Sequence, residues 1–324
     1  MALITLFSAK GSPGVTTTAM LLASLWPRPS ILVDADPMGG DVALRLPAAG
    51  GRALSRDRGL LSLLPVARRG LLPDMVAQHS QVALGGQPVV AGLSNPEQAD
   101  AVGPLWATLA DAFAAVSDAD VVVDAGHVGA RSPHRALVDR ADVVVVVYRP
   151  TAPSVVHTRQ RLEGLADSLS STGRLTGVLA VAPPKGDTDL TSSVAAMRGD
   201  LNWLHDFGAV VLDPKAVPMF DGVDVLRPER TLLARSGRTA AQLLFDRGVK
   251  PRLSLAEADG VPSDTKDTLP TASAEPTAAQ GGSQAEPDAK TSEGDGDAEA
   301  TRDTEATRAE RRARRGLLRS RRSS

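Results

Sequence analysis

The chain has 324 residues, of which 42% are hydrophobic and 3% aromatic, and its formal net charge is −2. That length is enough for one large α/β domain, and the near-neutral charge argues neither for nor against a nucleic-acid partner. Because the sequence contains no cysteine, it excludes a disulfide framework and a cysteine-based metal site, and a cytoplasmic location fits it best. No window reaches the roughly 18 uninterrupted apolar residues that a membrane span requires.

Short β-branched runs alternate with helix-length segments in the first part of the chain. The strand-like runs are LITLF (3–7), SILVD (30–34), DVVVD (120–124), DVVVVVY (142–148), TGVLAVA (176–182) and AVVLD (209–213). Continuous apolar runs are typical of strands that are buried on both faces of a parallel sheet. Helix-like segments such as TTTAMLLASLW and PLWATLADAFAAVSD lie between them. This alternation predicts an α/β fold, with a mostly parallel sheet and helices on both faces.

The composition changes near residue 253. Residues 253–305 hold few large apolar side chains and carry 13 acidic against 3 basic residues, whereas residues 306–324 carry 8 arginines and one glutamate. Such segments bury too little apolar area to offset the entropy lost on ordering. The sequence therefore predicts a folded domain over residues 1–252, an acidic disordered linker over 253–305 and an Arg-rich tail over 306–324.

A glycine-rich stretch, SAKGSPGVTTTA, follows the first strand-like run and leads into a helix-like segment. In this strand–loop–helix order, backbone N–H groups and the helix dipole bind phosphate. Gly11 and Gly14 permit the close approach of the backbone, and Thr16 stands where a hydroxyl would ligate Mg²⁺. Val15 replaces the usual lysine and Pro13 lacks an N–H donor, so the alternative is a glycine-rich turn that binds nothing.

Three aspartates mark the ends of strand-like runs. Asp34 ends the run SILVD, Asp36 follows it, and Asp124 ends the run DVVVD. Open α/β sheets bind ligands at the carboxyl ends of their strands, and a carboxylate there is the usual partner of Mg²⁺. Each aspartate alone could be a solvated strand end or a helix cap, but the three together predict an acidic, metal-supporting site. We interpret the nearby His127 as a polar loop residue, with a position facing the phosphates as the alternative.

These elements resemble the ParA/MinD group of P-loop ATPases, whose deviant loop reads Lys-Gly-Gly-x-Gly-Lys-Thr-Thr. On that motif the chain reads Lys10-Gly11-Ser12-Pro13-Gly14-Val15-Thr16-Thr17. The signature lysine is therefore present as Lys10, and Val15 stands in place of the second lysine. The family's Asp-x-Asp-Pro element is matched by DADP, its Gly-Leu-Leu helix by GLLSLLPVARRG, and its late base-pocket loop by VVLDPKAV. The resemblance covers residues 1 to about 250, and the run PMGGDVALRL is similar to the CpaE/TadZ-like pilus-assembly localisation branch.

The resemblance implies that residues 1–252 bind ATP and Mg²⁺ and form a homodimer. Lys10 would contact the phosphates of the nucleotide bound to the other subunit, and Thr17 would contact the α-phosphate of the chain's own nucleotide. The backbone that would cradle the phosphates belongs to Gly11, Ser12, Gly14 and Val15.

The resemblance also implies roles for the aspartates and for a base pocket. Thr16 would ligate Mg²⁺, with Asp124 behind it through a water molecule, and Asp34 or Asp41 would support the metal. Asp36, together with Lys10, would be catalytic by orienting the attacking water.

Two residues would border the base, namely Asp213 and Pro214. Members of the family often have an asparagine where this chain has Ala182 and Pro183. Because this chain lacks that asparagine, the resemblance does not establish adenine as the base.

The missing lysine predicts slow or absent hydrolysis. A hydrogen bond to a charged group contributes about 1.5–3 kcal/mol, so its loss would weaken nucleotide binding by roughly ten- to over a hundredfold. The turnover rate should fall by a larger factor than the affinity, since phosphoryl transfer depends on positioning and charge stabilisation. The leading function is a positioning or partitioning factor that binds ATP and hydrolyses it slowly. The alternatives are a pseudo-ATPase scaffold for a secretion, pilus or division assembly, and a small-molecule enzyme of the same fold.

Basic surfaces suggest further partners beside an unknown cargo protein. One is the Arg-rich tail, which could meet an anionic membrane or nucleic acid or remain solvated, and which makes a membrane-associated or polar location an open alternative. The second is a cluster that could bind DNA nonspecifically or form an ordinary exposed face. Its members are Arg227, Arg230, Arg235, Arg238, Arg247, Lys250 and Arg252.

Overall fold

The computed structural model describes residues 1–11, 13–170, 174–184 and 189–259. The strands of this part of the chain are β1 (Leu3–Ser8), β2 (Ser30–Asp34), β3 (Gln81–Val82), β4 (Pro88–Val90), β5 (Asp120–His127), β6 (Val143–Tyr148), β7 (Leu175–Ala182) and β8 (His205–Val211). Its α-helices are α1 (Val15–Ser24), α2 (Val42–Arg45), α3 (Leu60–Ala67), α4 (Asp74–Gln78), α5 (Pro96–Val102), α6 (Leu105–Ala114), α7 (Ala136–Arg140), α8 (Ala152–Gly164), α9 (Ala166–Leu169), α10 (Leu190–Arg198), α11 (Leu232–Leu244) and α12 (Lys250–Asp259). Short 3₁₀ helices lie at Pro133–Arg135, Val217–Asp221 and Pro228–Arg230, and a π-helix lies at Phe245–Val249.

The eight strands form one sheet in the order β3-β4-β2-β5-β1-β6-β7-β8. Only the pair of β3 and β4 is antiparallel, and every other neighbouring pair is parallel. The α/β fold with a mostly parallel sheet is therefore confirmed. Ligands of such sheets bind outside the carboxyl ends of the strands. The glycine-rich loop and the aspartates lie on this side of the sheet, at β1, β2 and β5.

Two apolar cores cover the two faces of the sheet. Successive side chains of β1 point to opposite faces, so that Leu3 and Phe7 join one core while Ile4 and Leu6 join the other. Helix α6 packs on the first core, and helices α1 and α11 pack on the second. This arrangement holds the start of α1 against the carboxyl edge of the sheet.

Two strands differ from their sequence predictions. The run DVVVD predicted a strand at 120–124, but β5 continues to His127, so that Asp124 lies inside the strand. The run AVVLD predicted a strand at 209–213, but β8 begins at His205 and ends at Val211. β8 is an edge strand, and its first residues, His205 and Asp206, are exposed. A search for continuous apolar runs misses such a segment, because an edge strand does not need an apolar residue at every position.

The last described helix crosses the predicted domain boundary at residue 252. Helix α12 continues to Asp259, and Arg252 within it forms an ion pair with Asp142 at 2.5 Å. Residues 260–324 lie outside the described residues, so the predictions of a linker and an Arg-rich tail stay predictions. Within the described residues, no helix is both long and apolar enough to cross a membrane.

Candidate nucleotide-binding site

The glycine-rich loop runs from the end of β1 into the first turn of α1. Gly11 and Gly14 have φ angles of 72° and 111°, in the left-handed region that favours glycine. The Ser8 hydroxyl lies 3.4 Å from the Gly11 carbonyl and 3.3 Å from that of Gly126, the latter in β5. The Thr18 amide donates to the Gly14 carbonyl at 2.9 Å and closes the first turn of the helix. The loop therefore turns into α1 through two glycines in the left-handed region, and its binding of phosphate stays a prediction. Ser12 lies outside the described residues.

Val15 belongs to the apolar core. Its side chain is only 6% exposed and joins the core that α1 and α11 cover. The position that would carry a lysine thus contributes packing to the fold and no positive charge to the loop.

A cavity of about 320 Å³ joins the loop to the segment after β8. Gly14 and Thr17 line one side of it, and Asp213 and Pro214 line the other. Its apolar lining includes Val181, Val210, Leu212 and Leu233. This volume is at the lower end of the range for small-molecule sites. The structure therefore brings together four of the residues that the sequence assigned to the phosphates and the base.

Asp124 carries a buried oxygen atom without a partner. The side chain is fully buried in β5, three residues before the strand ends at His127, and its Oδ1 accepts a hydrogen bond from the Gly126 amide at 3.0 Å. Among the described residues, no group donates to its Oδ2. The Thr16 hydroxyl lies beside this carboxylate and favours its charged form. An orphaned buried oxygen next to a hydroxyl fits an octahedral Mg²⁺ ion, which binds oxygen ligands and keeps several waters.

Asp34 holds the loop that follows β2. Its Oδ2 accepts a hydrogen bond from the Val42 amide at 3.0 Å, and its Oδ1 accepts one from the Asp36 amide at 3.4 Å. Glycines surround it, since a Cβ atom at Gly40 or Gly92 would overlap its carboxylate. In this structure Asp34 organises the backbone between β2 and α2, and its predicted support of the metal stays a prediction.

Two neighbouring buried carboxylates, Asp34 and Asp124, have raised pKa values. Asp34 and Asp124 are paired in register on β2 and β5. Burial raises the pKa of both carboxyls, and the charge of Asp124 raises that of Asp34 further. The Thr16 hydroxyl and the Gly126 amide lower the pKa of Asp124 and offset part of this rise. The pKa of Asp34 is raised to about 8 and that of Asp124 to about 6. Above pH 4, the folded pair therefore still holds protons that the unfolded chain, with an aspartate pKa of about 3.9, has released.

Asp124→Asn should consequently stabilise the protein in the absence of nucleotide and metal. Stability falls as pH rises above the unfolded pKa of about 4 towards the raised folded values, because the folded state then binds more protons. At pH 8 the substitution should raise the free energy of unfolding by about 1–3 kcal/mol, and at pH 4 the gain should vanish. Urea denaturation at both pH values measures this difference. The control is Asp118→Asn, an exposed carboxylate just before β5, which should change stability by less than about 0.5 kcal/mol. A loss of stability at pH 8 would contradict the account of the pair.

Asp36 lies directly over the backbone of β5. Its Oδ1 accepts a hydrogen bond from the Met38 amide at 2.9 Å, and burial raises its pKa. Gly126, with a φ of 56°, lies beneath its carboxylate, and a Cβ atom at that position would overlap the carboxylate. Gly126 is therefore a residue of the site that the sequence did not reveal.

Gly126→Ala should displace Asp36 and destabilise the protein by about 2 kcal/mol, of which about 1 kcal/mol is the cost of the left-handed backbone. In an Asp36→Ala background the loss should shrink to about that backbone cost, because the overlap is gone. Chemical denaturation of the four proteins of this cycle gives the coupling energy. Gly50→Ala is the control, since Gly50 has a φ of 90° and open space around it. Equal losses in both backgrounds would show that Gly126 does not position Asp36.

Lys10 lies on another side of the loop. Its Nζ is 3.2 Å from Nε2 of His157 on α8, and both residues line a cavity of about 400 Å³ with Arg161, Gln160 and His127. His127 is partly exposed, with Nδ1 3.1 Å from the Ser8 carbonyl. Desolvation of the buried part of its ring and the charge of Arg161 lower its pKa. Lys10 thus points away from the cavity that holds Asp213. This placement fits a contact outside the chain's own nucleotide, and its catalytic role stays a prediction.

Known proteins share this fold. No protein-family model and no curated protein matches the sequence. The ParA family ATPase from Chlorobium tepidum TLS is 17% identical, covers 74% of this chain and 98% of its own, and has a TM-score of 0.60. The septum site-determining protein MinD from Pyrococcus horikoshii OT3, complexed with Mg-ADP, is 15% identical, with coverages of 74% and 93% and a TM-score of 0.55. An aspartate-to-alanine variant of McdA from Cyanothece, in complex with ATP, is 16% identical, with coverages of 82% and 99% and a TM-score of 0.55. The likeness shows that the chain has the α/β fold of the ParA- and MinD-type P-loop ATPases.

Proposed function

We propose that this chain is an ATP-binding positioning or partitioning factor of the ParA/MinD type whose hydrolysis of ATP is slow. The observation that carries the proposal is the cavity that Gly14 and Thr17 of the loop share with Asp213 and Pro214. A phosphate-binding turn and an apolar pocket at its side are the two parts that a nucleotide needs. The Mg-ADP and ATP complexes of the similar MinD and McdA structures support ATP and Mg²⁺ as the ligands.

Different residues would bind the metal, bind the phosphates and orient the water at this site. Thr16 and Asp124 would hold Mg²⁺, which supplies positive charge to the phosphates when it is bound. The loop amides bind the phosphates, and the Asp36 carboxylate accepts a hydrogen bond from the attacking water and orients it. Val15 supplies no charge to the β- and γ-phosphates, so hydrolysis is slow while binding persists.

The second candidate function is a scaffold that binds ATP without hydrolysing it. Burial of Val15 in the apolar core favours this alternative, because the missing charge is replaced by packing rather than by another polar group at that position. Such a scaffold would localise a secretion, pilus or division assembly. The run PMGGDVALRL, which includes α2, supports the CpaE/TadZ-like branch for either function.

Measurements of ATP turnover and of dimer formation distinguish the two functions. Sedimentation of the full chain with ATP, with ADP and without nucleotide should show a dimer with ATP, and Lys10→Ala should lose that dimer but keep ATP binding. Slow phosphate release that requires Mg²⁺ supports the positioning factor, whereas an ATP-dependent dimer without phosphate release supports the scaffold. A chain that is monomeric under all three conditions and releases no phosphate would refute both.

The proposed class also implies partners for this chain. A homodimer and an unidentified cargo protein follow from the proposed class. Three members of the basic cluster, Arg235, Arg238 and Arg247, line a groove along α11 and the π-helix after it, together with Asp246. This groove could meet DNA or anionic lipid. A cytoplasmic protein that associates with a membrane or a cell pole would be consistent with this function.

A further inference from the structure

Arg45 places a positive charge at the first turn of α1. Its Nη1 donates a hydrogen bond to the Thr17 hydroxyl at 3.0 Å, although the two residues are 28 positions apart. Thr17 also lines the cavity that contains Asp213. The guanidinium group therefore lies directly behind Thr17, a residue of the cavity wall, although Arg45 does not itself line the cavity.

Two hydrogen bonds fix the position of this guanidinium, one to Thr17 and one to Asp221, and a third anchors the helix that carries Arg45. Asp34 accepts a hydrogen bond from the Val42 amide and so anchors the first residue of α2, which ends at Arg45. Asp221 accepts a hydrogen bond from Arg45 Nε at 2.9 Å. Asp221 ends the 3₁₀ helix Val217–Asp221, whose first residue lines the same cavity. Arg45 thereby links the acidic loop after β2, the helix after the phosphate loop, and the wall of the base pocket.

The guanidinium retains donors for a ligand. It has five N–H groups, of which one is used by Asp221 and one by Thr17. Within the described part of the chain, its Nη2 atom has no hydrogen-bond partner. The side chain is 22% exposed, so that solvent screens its charge less than that of a surface arginine. A planar group with free N–H donors is suited to a phosphate oxygen.

We propose that Arg45 is a phosphate-binding residue that donates to the α-phosphate of a nucleoside di- or triphosphate bound beside Thr17. This inference rests on the proposed function and assigns to Arg45 part of the charge that Val15 cannot supply. The contact is made to the phosphate nearest the base pocket, which ADP and ATP share. It therefore strengthens nucleotide binding without restoring the contact to the β- and γ-phosphates that hydrolysis requires.

Calorimetric titration of the full chain with Mg-ADP, Mg-ATP and adenosine tests this role. Arg45→Ala should weaken binding of both nucleotides by about tenfold, because it removes a charged hydrogen bond. Arg45→Lys keeps the positive charge but lacks the paired N–H donors of the planar guanidinium, and it should recover part of the lost affinity. Adenosine, which has no phosphate, should bind the wild type and both variants equally. The control is Arg140→Ala, which removes an exposed arginine paired with Asp111 and should leave all affinities within about twofold.

The outcomes distinguish this inference from the proposal on which it rests. Nucleotide affinities of a folded Arg45→Ala variant within twofold of the wild type would refute the role of Arg45 and leave the proposed function intact. An equal loss of adenosine binding would also refute it, since Arg45 would then act on the shape of the cavity. A wild type that binds neither nucleotide would overturn the proposed function and this inference together.

Discussion

Val15→Lys is expected to strengthen Mg-ATP binding by roughly ten- to over a hundredfold and to raise turnover. The substitution restores the charged donor to the β- and γ-phosphates, a contact that contributes about 1.5–3 kcal/mol. A lysine at the first position of α1 can keep its stem against the core and extend its ammonium group to the loop. Turnover should rise at least as much as affinity, because the transferring phosphoryl group gains the charge.

The same substitution has an opposite effect on the apo protein. Val15 is 6% exposed, so a lysine loses apolar packing and should lower the free energy of unfolding by about 1–3 kcal/mol. Val15→Met is the matched control, since it is long and uncharged. Equilibrium titration and phosphate release compare the two variants. If Val15→Lys folds and binds ATP no better than Val15→Met, the loop does not hold phosphates in the proposed way.

Asp36→Ala is expected to reduce turnover by roughly 10²-fold or more while ATP affinity changes by less than about threefold. The carboxylate lies over Gly126 beside the carboxyl ends of β2 and β5, where it can orient a water molecule. In the described part of the chain, it neither lines the cavity shared by Gly14 and Asp213 nor forms a hydrogen bond with a residue that does, so binding of the nucleotide should persist.

The measurement is phosphate release in the Val15→Lys background, where the higher expected turnover leaves room for a large decrease. Asp57→Ala, which removes an exposed carboxylate, is the control and should retain the parental rate. Parental turnover in a folded Asp36→Ala variant would remove Asp36 from the mechanism. Loss of ATP binding in that variant would instead place Asp36 among the binding residues.

The sequence predicted the features that strand patterns determine. Apolar runs placed Asp34 at the end of β2 and Asp124 at the end of a strand that in the structure continues to His127. In the parallel sheet the two aspartates are paired in register. The strand–loop–helix order likewise placed Gly11 and Gly14 in a turn, and both have positive φ angles. Such features follow from local periodicity and from glycine chemistry, which a single sequence contains.

Contacts between distant segments could not be predicted in this way. Gly126 lies beneath Asp36, and Arg45 reaches Thr17, because the loop after β2 folds back over the carboxyl edge of the sheet. The burial of Val15 is of the same kind, since a valine at that position could pack in a core or line a loop. These contacts depend on side-chain packing across the sheet, and periodicity carries no information about them.

The most direct test of the central claim is a titration of the full-length protein with a fluorescent ATP analogue, with Mg²⁺ and with EDTA. We expect binding in the micromolar range that Mg²⁺ strengthens and that unlabelled ATP competes away. Such a result would mean that the loop binds the phosphates although Val15 has replaced its lysine. No binding at millimolar ATP would contradict the account, and the loop would then be a structural turn in a protein that acts through its surfaces.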